Sequence, residues 1–234
     1  NQDDFKRVKK SNLEGLESMK KNAQYLAQNS MSKVLYGNSP MGWNMNKKSI
    51  KKIKLKDIKT FYNNYSPNVS ELVIVGNVKK ERIYKELDFL KKWENKNINV
   101  PSDYNFPKDK PTQIYLVDKE GATQSLILMG HKSDSYDANG EFFKSRIMNN
   151  SLGGGASGRL FLNLREDKGY TYGAYSSFRG SKNYGVFAIQ TSVKTEVTDS
   201  SIVEIFNILE DYTNNGITEK ELTSTKNSYL NSAS

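Results

Sequence analysis

Apolar residues along this chain recur at two spacings. In NAQYLAQNSMSKVLY (22–36), Ala23, Leu26, Ala27, Met31, Val34 and Leu35 fall three or four apart, which predicts a helix stopped by Gly37. The spacing returns at 55–65 through Ile58, Phe61, Tyr62 and Tyr65, with Pro67 as a breaker, and again in KERIYKELDFLKKW (80–93). ELVIVGNV (71–78) is short, continuous and β-branched, and predicts a buried strand. Beyond residue 111 the pattern predicts strands at 112–119 and 122–130 and a helix over 141–152 carrying Phe143, Ile147 and Met148. A second helix opens with Ser157 as N-cap, keeps Leu160, Phe161 and Leu164 on one face and ends at Gly169. Strands at 171–179 and 184–193 make a hairpin, followed by a helix at 199–214 and a last helix opened by a Thr218/Glu221 capping box. Four strands without βαβ alternation predict an α+β fold, with one antiparallel sheet and helices on one face.

Three of the five prolines fall in 94–111, where apolar content drops, so that stretch is the expected linker between 1–93 and 112–234. FKRVKKSNL (5–13) and LTSTKNSYL (222–230) share Lys9/Lys226, Ser11/Ser228 and Leu13/Leu230, as if a second copy of the opening unit began at the end of the chain. The start, NQDDFKRVKK, has no initiator Met and no apolar signal-peptide core and reads as an excised segment. No apolar run is long enough to span a membrane.

Composition removes several chemistries. Cysteine is absent, which excludes disulfides, thiolate catalysis and Cys-ligated zinc, and there is one histidine, His131. The formal charge is +9, and KKSIKKIKLKDIK (47–59) holds seven lysines in thirteen residues. Ile50, Ile53, Leu55 and Ile58 are interleaved with them, and no aromatic side chain lies within the segment. The lysines are therefore read as the solvated face of a packed loop-helix, and nucleic acid is not an expected partner.

SLGGGASGRLFLNLREDKGYTYGAYS (151–176) spells G-x-G-x-x-G through Gly153, Gly155 and Gly158. A dinucleotide site needs a strand before the glycines and an acid about 20 residues later. Here the preceding residues are helical and Phe178 stands at that distance, while no Gly-Lys-Ser/Thr closes a P-loop. The glycines instead let two helices turn sharply. Arg165 borders the apolar face of the second helix, and Tyr172 starts the strand it feeds, so both can enter one cleft. A guanidinium and a phenol there are donors suited to a peptide carbonyl that gains negative charge. Arg165 and Tyr172 are the candidate catalytic contacts; Gly153, Gly154 and Gly155 join them as candidate substrate-binding residues.

At this point LGGGASGRLFLNLREDKGYTYGAYS resembles the second-domain signature of pitrilysin/insulinase-type zinc metallopeptidases, relatives of the mitochondrial processing peptidases. LYGNSPMG (35–42), IKLKDIKTFYNNYSPNVSELVIVGNV (53–78) and IYLVDKEGATQSLILMGH (114–131) are similar to further segments of that family, with Met41, Asn77 and Lys54 where it usually has Tyr, Asp and Thr. The resemblance implies an α+β repeat used twice around a peptide. It makes 1–93 the second half of one repeat and 112–234 the first half of the next. In the family, zinc is held by His-x-x-Glu-His plus a distal Glu in the first repeat, and an Arg and a Tyr seven residues apart reach across from the second. Arg165 and Tyr172 have that spacing. With one histidine this chain cannot contain the zinc motif, so no metal ligands are expected in it and it should be inactive alone. Zinc is expected in a parent enzyme or partner subunit, and the partners implied are a peptide or unfolded-protein substrate and the zinc-bearing repeat. The alternative is a non-catalytic scaffold or partner subunit of a heteromeric processing peptidase. Bacterial members are often exported, which points to a periplasmic or extracytoplasmic setting.

Overall fold

The computed structural model describes residues 1–100 and 106–232; residues 101–105, part of the expected linker, lie outside them. The chain forms two compact units. One is Asn1–Ser18 with the described part of Met45–Asp103; the other is Met19–Asn44 with the described part of Tyr104–Ser234.

Helix α1 (Gln2–Met19) opens the chain, and α2 (Ala23–Tyr36) falls where the spacing predicts it. Asn22 caps α2 by accepting from the Tyr25 N–H, and Gly37, at φ +58°, closes it with a bond to the Lys33 carbonyl. In the first unit, α3 (Lys47–Lys52) carries a capping box between Asn46 and Ser49, and in α4 (Leu55–Tyr62) the Asp57 carboxylate accepts from the Lys54 N–H at 2.7 Å. The helix expected over 80–93 splits into α5 (Lys80–Glu86) and a 3₁₀ turn at Asp88–Lys92. Of the isoleucines interleaved with the lysines, Ile50 is buried but Ile53 and Ile58 are exposed, so this face is less packed than expected. Nor is ELVIVGNV a buried strand. It pairs with nothing among the described residues, and Val73 and Val75 are 72% and 93% exposed. A strand needs a partner for its N–H and C=O groups, and among the described residues this run has no ladder pairing.

The second unit is built on strands β1 (Gln124–Ser133), β2 (Thr171–Gly180) and β3 (Gly185–Lys194), antiparallel in the order β1-β3-β2. This is the α+β fold expected, with two differences: helices cover both faces of the sheet instead of one, because α2 packs on the face opposite the core, and one expected strand is missing. TQIYLVDK stays outside the sheet, Ile114 and Leu116 being 82% and 92% exposed, although a turn with Gly121 at φ +71° already joins it to β1. Every second residue of β3 from Gly185 to Val193 is buried. Phe187, Ile189 and Val193 thus meet α6 (Glu141–Gly153), α7 (Arg159–Phe161) and α8 (Thr198–Asn215) in a core that includes Leu160, Leu164 and Ile205. On the opposite face Gln190 exchanges two hydrogen bonds with Gln24 of α2, at 2.8 and 2.9 Å. Tyr36, at the end of α2, packs edge-on against Tyr184 and Phe106 and donates to the Gly185 carbonyl. Burial, and the neighbouring Tyr184, push its phenol up to about 12.

The last helix, α9 (Glu219–Ser232), opens with the predicted capping box: Glu221 accepts from the Thr218 N–H and the Glu221 N–H donates to the Thr218 hydroxyl. Arg159 ties it down. Its guanidinium grips Glu221 through Nε and Nη2 at 2.6 and 2.7 Å, bonds Asp211 and the Gly216 carbonyl at 2.8 Å each, and stacks over Tyr212. No described helix is long and apolar enough to cross a membrane.

Candidate functional site

The loop that raised the phosphate question begins where α6 ends against β2. Asn149 donates to the Ser176 carbonyl at 2.9 Å and accepts from the Ser176 hydroxyl at 2.6 Å, both buried. A Cβ on Gly153 would stand 2.7 Å from the Ser176 backbone nitrogen and 2.8 Å from Leu160 Cδ1; one on Gly158 would stand 2.8 Å from Gly153 Cα. Gly153 and Gly158 therefore let backbone pass against backbone. Gly153 is buried in that contact, Gly154 is exposed, and Gly155 faces open space.

The N-cap assignment to Ser157 is corrected: α7 starts after Gly158, which makes no side-chain capping bond, and Ser157 is exposed. With Gly158 pressed on Gly153, the chain turns into the helix one residue later. The helix itself departs from expectation too. After three α-helical residues it widens into a π-turn over Leu162–Asp167, with the Lys168 N–H bonded to the Asn163 carbonyl five residues back. Leu160 and Leu164 are fully buried, and Asn163 donates to Glu204 of α8 at 2.9 Å. Arg165 rides on this turn. Gly169, at φ +64°, reverses the chain into β2.

β2 opens with a bulge between Thr171 and Ala174. Two hydroxyls pin it: Thr171 donates to the Ser192 carbonyl at 2.7 Å, and Thr191 bonds the Thr171 hydroxyl and the Gly173 carbonyl, each at 3.0 Å. The bulge projects Tyr172 outward, where it is 82% exposed. Arg165 and Tyr172 converge as the sequence predicts, the guanidinium carbon 5.3 Å from the Tyr172 ring centroid. Asp167 pairs with Lys168, and among the described residues no carboxylate lies within ion-pairing distance of Arg165. Arg165 is half-buried, and among the described residues neither its guanidinium nor the Tyr172 hydroxyl has a hydrogen-bond partner. The sequence reading passed over Thr171 and Thr191, although the Thr-Tyr-Gly triplet at the head of the strand is a bulge signal.

His131 lies on β1, its Nδ1 2.7 Å from the Lys132 carbonyl and its ring against Phe187. Among the described residues no three His, Cys, Asp or Glu side chains are grouped to hold a metal ion. The donor set does not fit a zinc site.

Residues 52–229 match the family model described as the peptidase M16 inactive domain. The chain is 26% identical to a Helicobacter pylori protein named Non-peptidase homolog YmxG, over 99% of this chain and 54% of that protein. It is 24% identical to the Bacillus subtilis protein named Uncharacterized zinc protease YmxG, over 84% of this chain and 47% of that one. The chain thus spans about half the length of these curated relatives. Among solved structures, it superposes on the peptidase M16 inactive domain from Pseudomonas fluorescens with a TM-score of 0.86, at 24% identity over 100% of this chain and 57% of that one. A Helicobacter pylori protease gives 0.91 at 20% identity, over 99% and 58% of the two chains. These structural likenesses bear on the fold alone.

Proposed function

The chain belongs to the peptidase M16 inactive-domain family, and from that premise we propose that it is the part of a zinc metalloendopeptidase that supplies peptide-binding and transition-state contacts. The zinc-bearing repeat then lies elsewhere in the parent polypeptide or in a partner subunit. The observation that carries this reading is the Arg165–Tyr172 pair, a half-buried cation over an exposed phenol, neither with a hydrogen-bond partner among the described residues. Arg165 offers up to five N–H donors and no acceptor, and Tyr172 one O–H. Aimed at a scissile carbonyl, both strengthen as its oxygen gains charge, so their contribution falls on turnover more than on ground-state binding. Gly154 and Gly155 border the turn before the pair and leave backbone accessible to a bound peptide, whereas Gly153 supports the site from within.

The test is Tyr172→Phe in 1–234 assembled with its zinc-bearing part. Turnover should fall about 10²–10³-fold with KM changed little, because loss of one such donor typically has that effect. Unchanged turnover in both Tyr172→Phe and Arg165→Ala would leave the pair as architecture. A second reading, a non-catalytic scaffold or partner subunit, is supported by the Helicobacter pylori relative, which is named a non-peptidase homolog. It is favoured if the assembled complex binds peptide but does not cleave it.

A further inference from the structure

We infer that Asn163 and Glu204 are positioning residues for Arg165: their hydrogen bond clamps the π-turn to α8 and so holds the guanidinium over Tyr172. The inference rests on the reading of Arg165 given above, but its test does not. Regular α-helix continuing from α7 would carry Arg165 round at about 100° per residue. The extra residue of the π-turn breaks that progression, and single π-turns are favoured where a helix serves a site. Such a turn needs an outside hold, because its own hydrogen bonds are fewer per residue.

Asn163 is placed to give that hold twice over. Its backbone carbonyl accepts the Lys168 N–H, the bond that defines the turn, and its side-chain Nδ2 donates to Glu204 Oε2 at 2.9 Å. Only the amide NH₂ can face a carboxylate without repulsion, which fixes the orientation of the side chain. Its Oδ1 is buried with no partner among the described residues, so the Glu204 bond is the amide's only anchor. Both residues are half-buried. Glu204 also acts on Lys168, the first residue past the turn, raising its affinity for the proton after the larger effect of Asp167. Asn163 and Lys168 thus bracket Arg165 along the chain, and Glu204 acts on both.

The side-chain Nε–H resonance of Arg165 in ¹⁵N-labelled 1–234 tests this, assigned by its disappearance in Arg165→Lys. Stacking on Tyr172 should displace it upfield. Glu204→Leu, at a half-exposed helix position that tolerates leucine, should abolish the displacement. Glu204→Gln keeps an acceptor for Asn163 and should retain it, and Asn163→Ala should match Glu204→Leu. Circular dichroism of each variant guards against global unfolding. A displacement that survives Glu204→Leu, or that Glu204→Gln loses equally, overturns the clamp. Failure of the catalytic reading would look different: the displacement would follow position 204 as expected while Arg165→Ala left turnover in the assembled enzyme untouched.

Discussion

Replacing Arg159 by Met should destabilise the second unit by about 2 kcal/mol at neutral pH, and the loss should shrink in acid. Arg159 is less than one-fifth exposed and its chief partner Glu221 about as little, with two charge-assisted bonds of 2.6 and 2.7 Å between them. The pair lies between an exposed salt bridge, where the effect is about 0–1 kcal/mol, and a buried one broken on one side, at about 3–5 kcal/mol. The lowered carboxyl of Glu221 gives a second figure. The hydrogen bonds from Arg159, and after them those from Thr218, hold the Glu221 carboxyl down at about 2 against the opposing effect of its burial. A fall from about 4.3 to about 2, at about 1.4 kcal/mol per pH unit, is worth about 3 kcal/mol, and solvent screening of a partly exposed group brings it to about 2. Because the folded-state value is the lower one, this stabilisation is complete above about pH 4.5 and disappears as pH falls through about 2. Urea unfolding of the wild type and Arg159→Met at pH 7, 4 and 2.5 measures it, with Glu221→Gln and the double variant closing a cycle. A difference below about 0.5 kcal/mol at pH 7, or one that stays constant down to pH 2.5, refutes the reasoning.

Two further outcomes follow from packing. Gly153→Ala should cost about 1–3 kcal/mol in urea unfolding, since its Cβ would press on the Ser176 backbone and Leu160, while Gly155→Ala, facing open space, should stay within about 0.5 kcal/mol. Val75→Lys and Leu116→Lys, at positions 93% and 92% exposed, should each change stability by less than about 0.5 kcal/mol, whereas Ile189→Ala, fully buried on the central strand, should cost about 2–5 kcal/mol.

Periodicity located what local spacing controls. The helix of 22–36, with Asn22 before it and Gly37 after it, and the Thr218/Glu221 capping box are set by residues within one turn of each other, and they stand where they were expected. The core strands were legible for the same reason, since alternate burial along Gly185–Val193 follows from a period of two. ELVIV and IYLV are as rich in strand-forming side chains yet lie unpaired among the described residues. Strand-forming side chains supply a preference, but a ladder forms only if another backbone is alongside, and that is a property of distant sequence.

The candidate site divides along the same line. Seven residues, a helix stop and a strand start were enough to bring Arg165 and Tyr172 together on paper. The route the chain takes was not legible, because each step adds one residue to a regular hydrogen-bond pattern. The π-turn is held from Glu204, some forty residues on, and the bulge from Thr191, about twenty on. Neither partner is marked by local spacing: a Glu on a half-buried helix face and a Thr in a central strand look ordinary. Yet the two insertions act jointly, one re-aiming the guanidinium and the other turning the phenol outward to meet it. A regular helix feeding a regular strand would carry the same two residues without the same encounter. The motif's spacing therefore specifies the pair only in a chain that also keeps Glu204 and Thr191 in place, and a relative with the Arg and Tyr but neither anchor should not stack them.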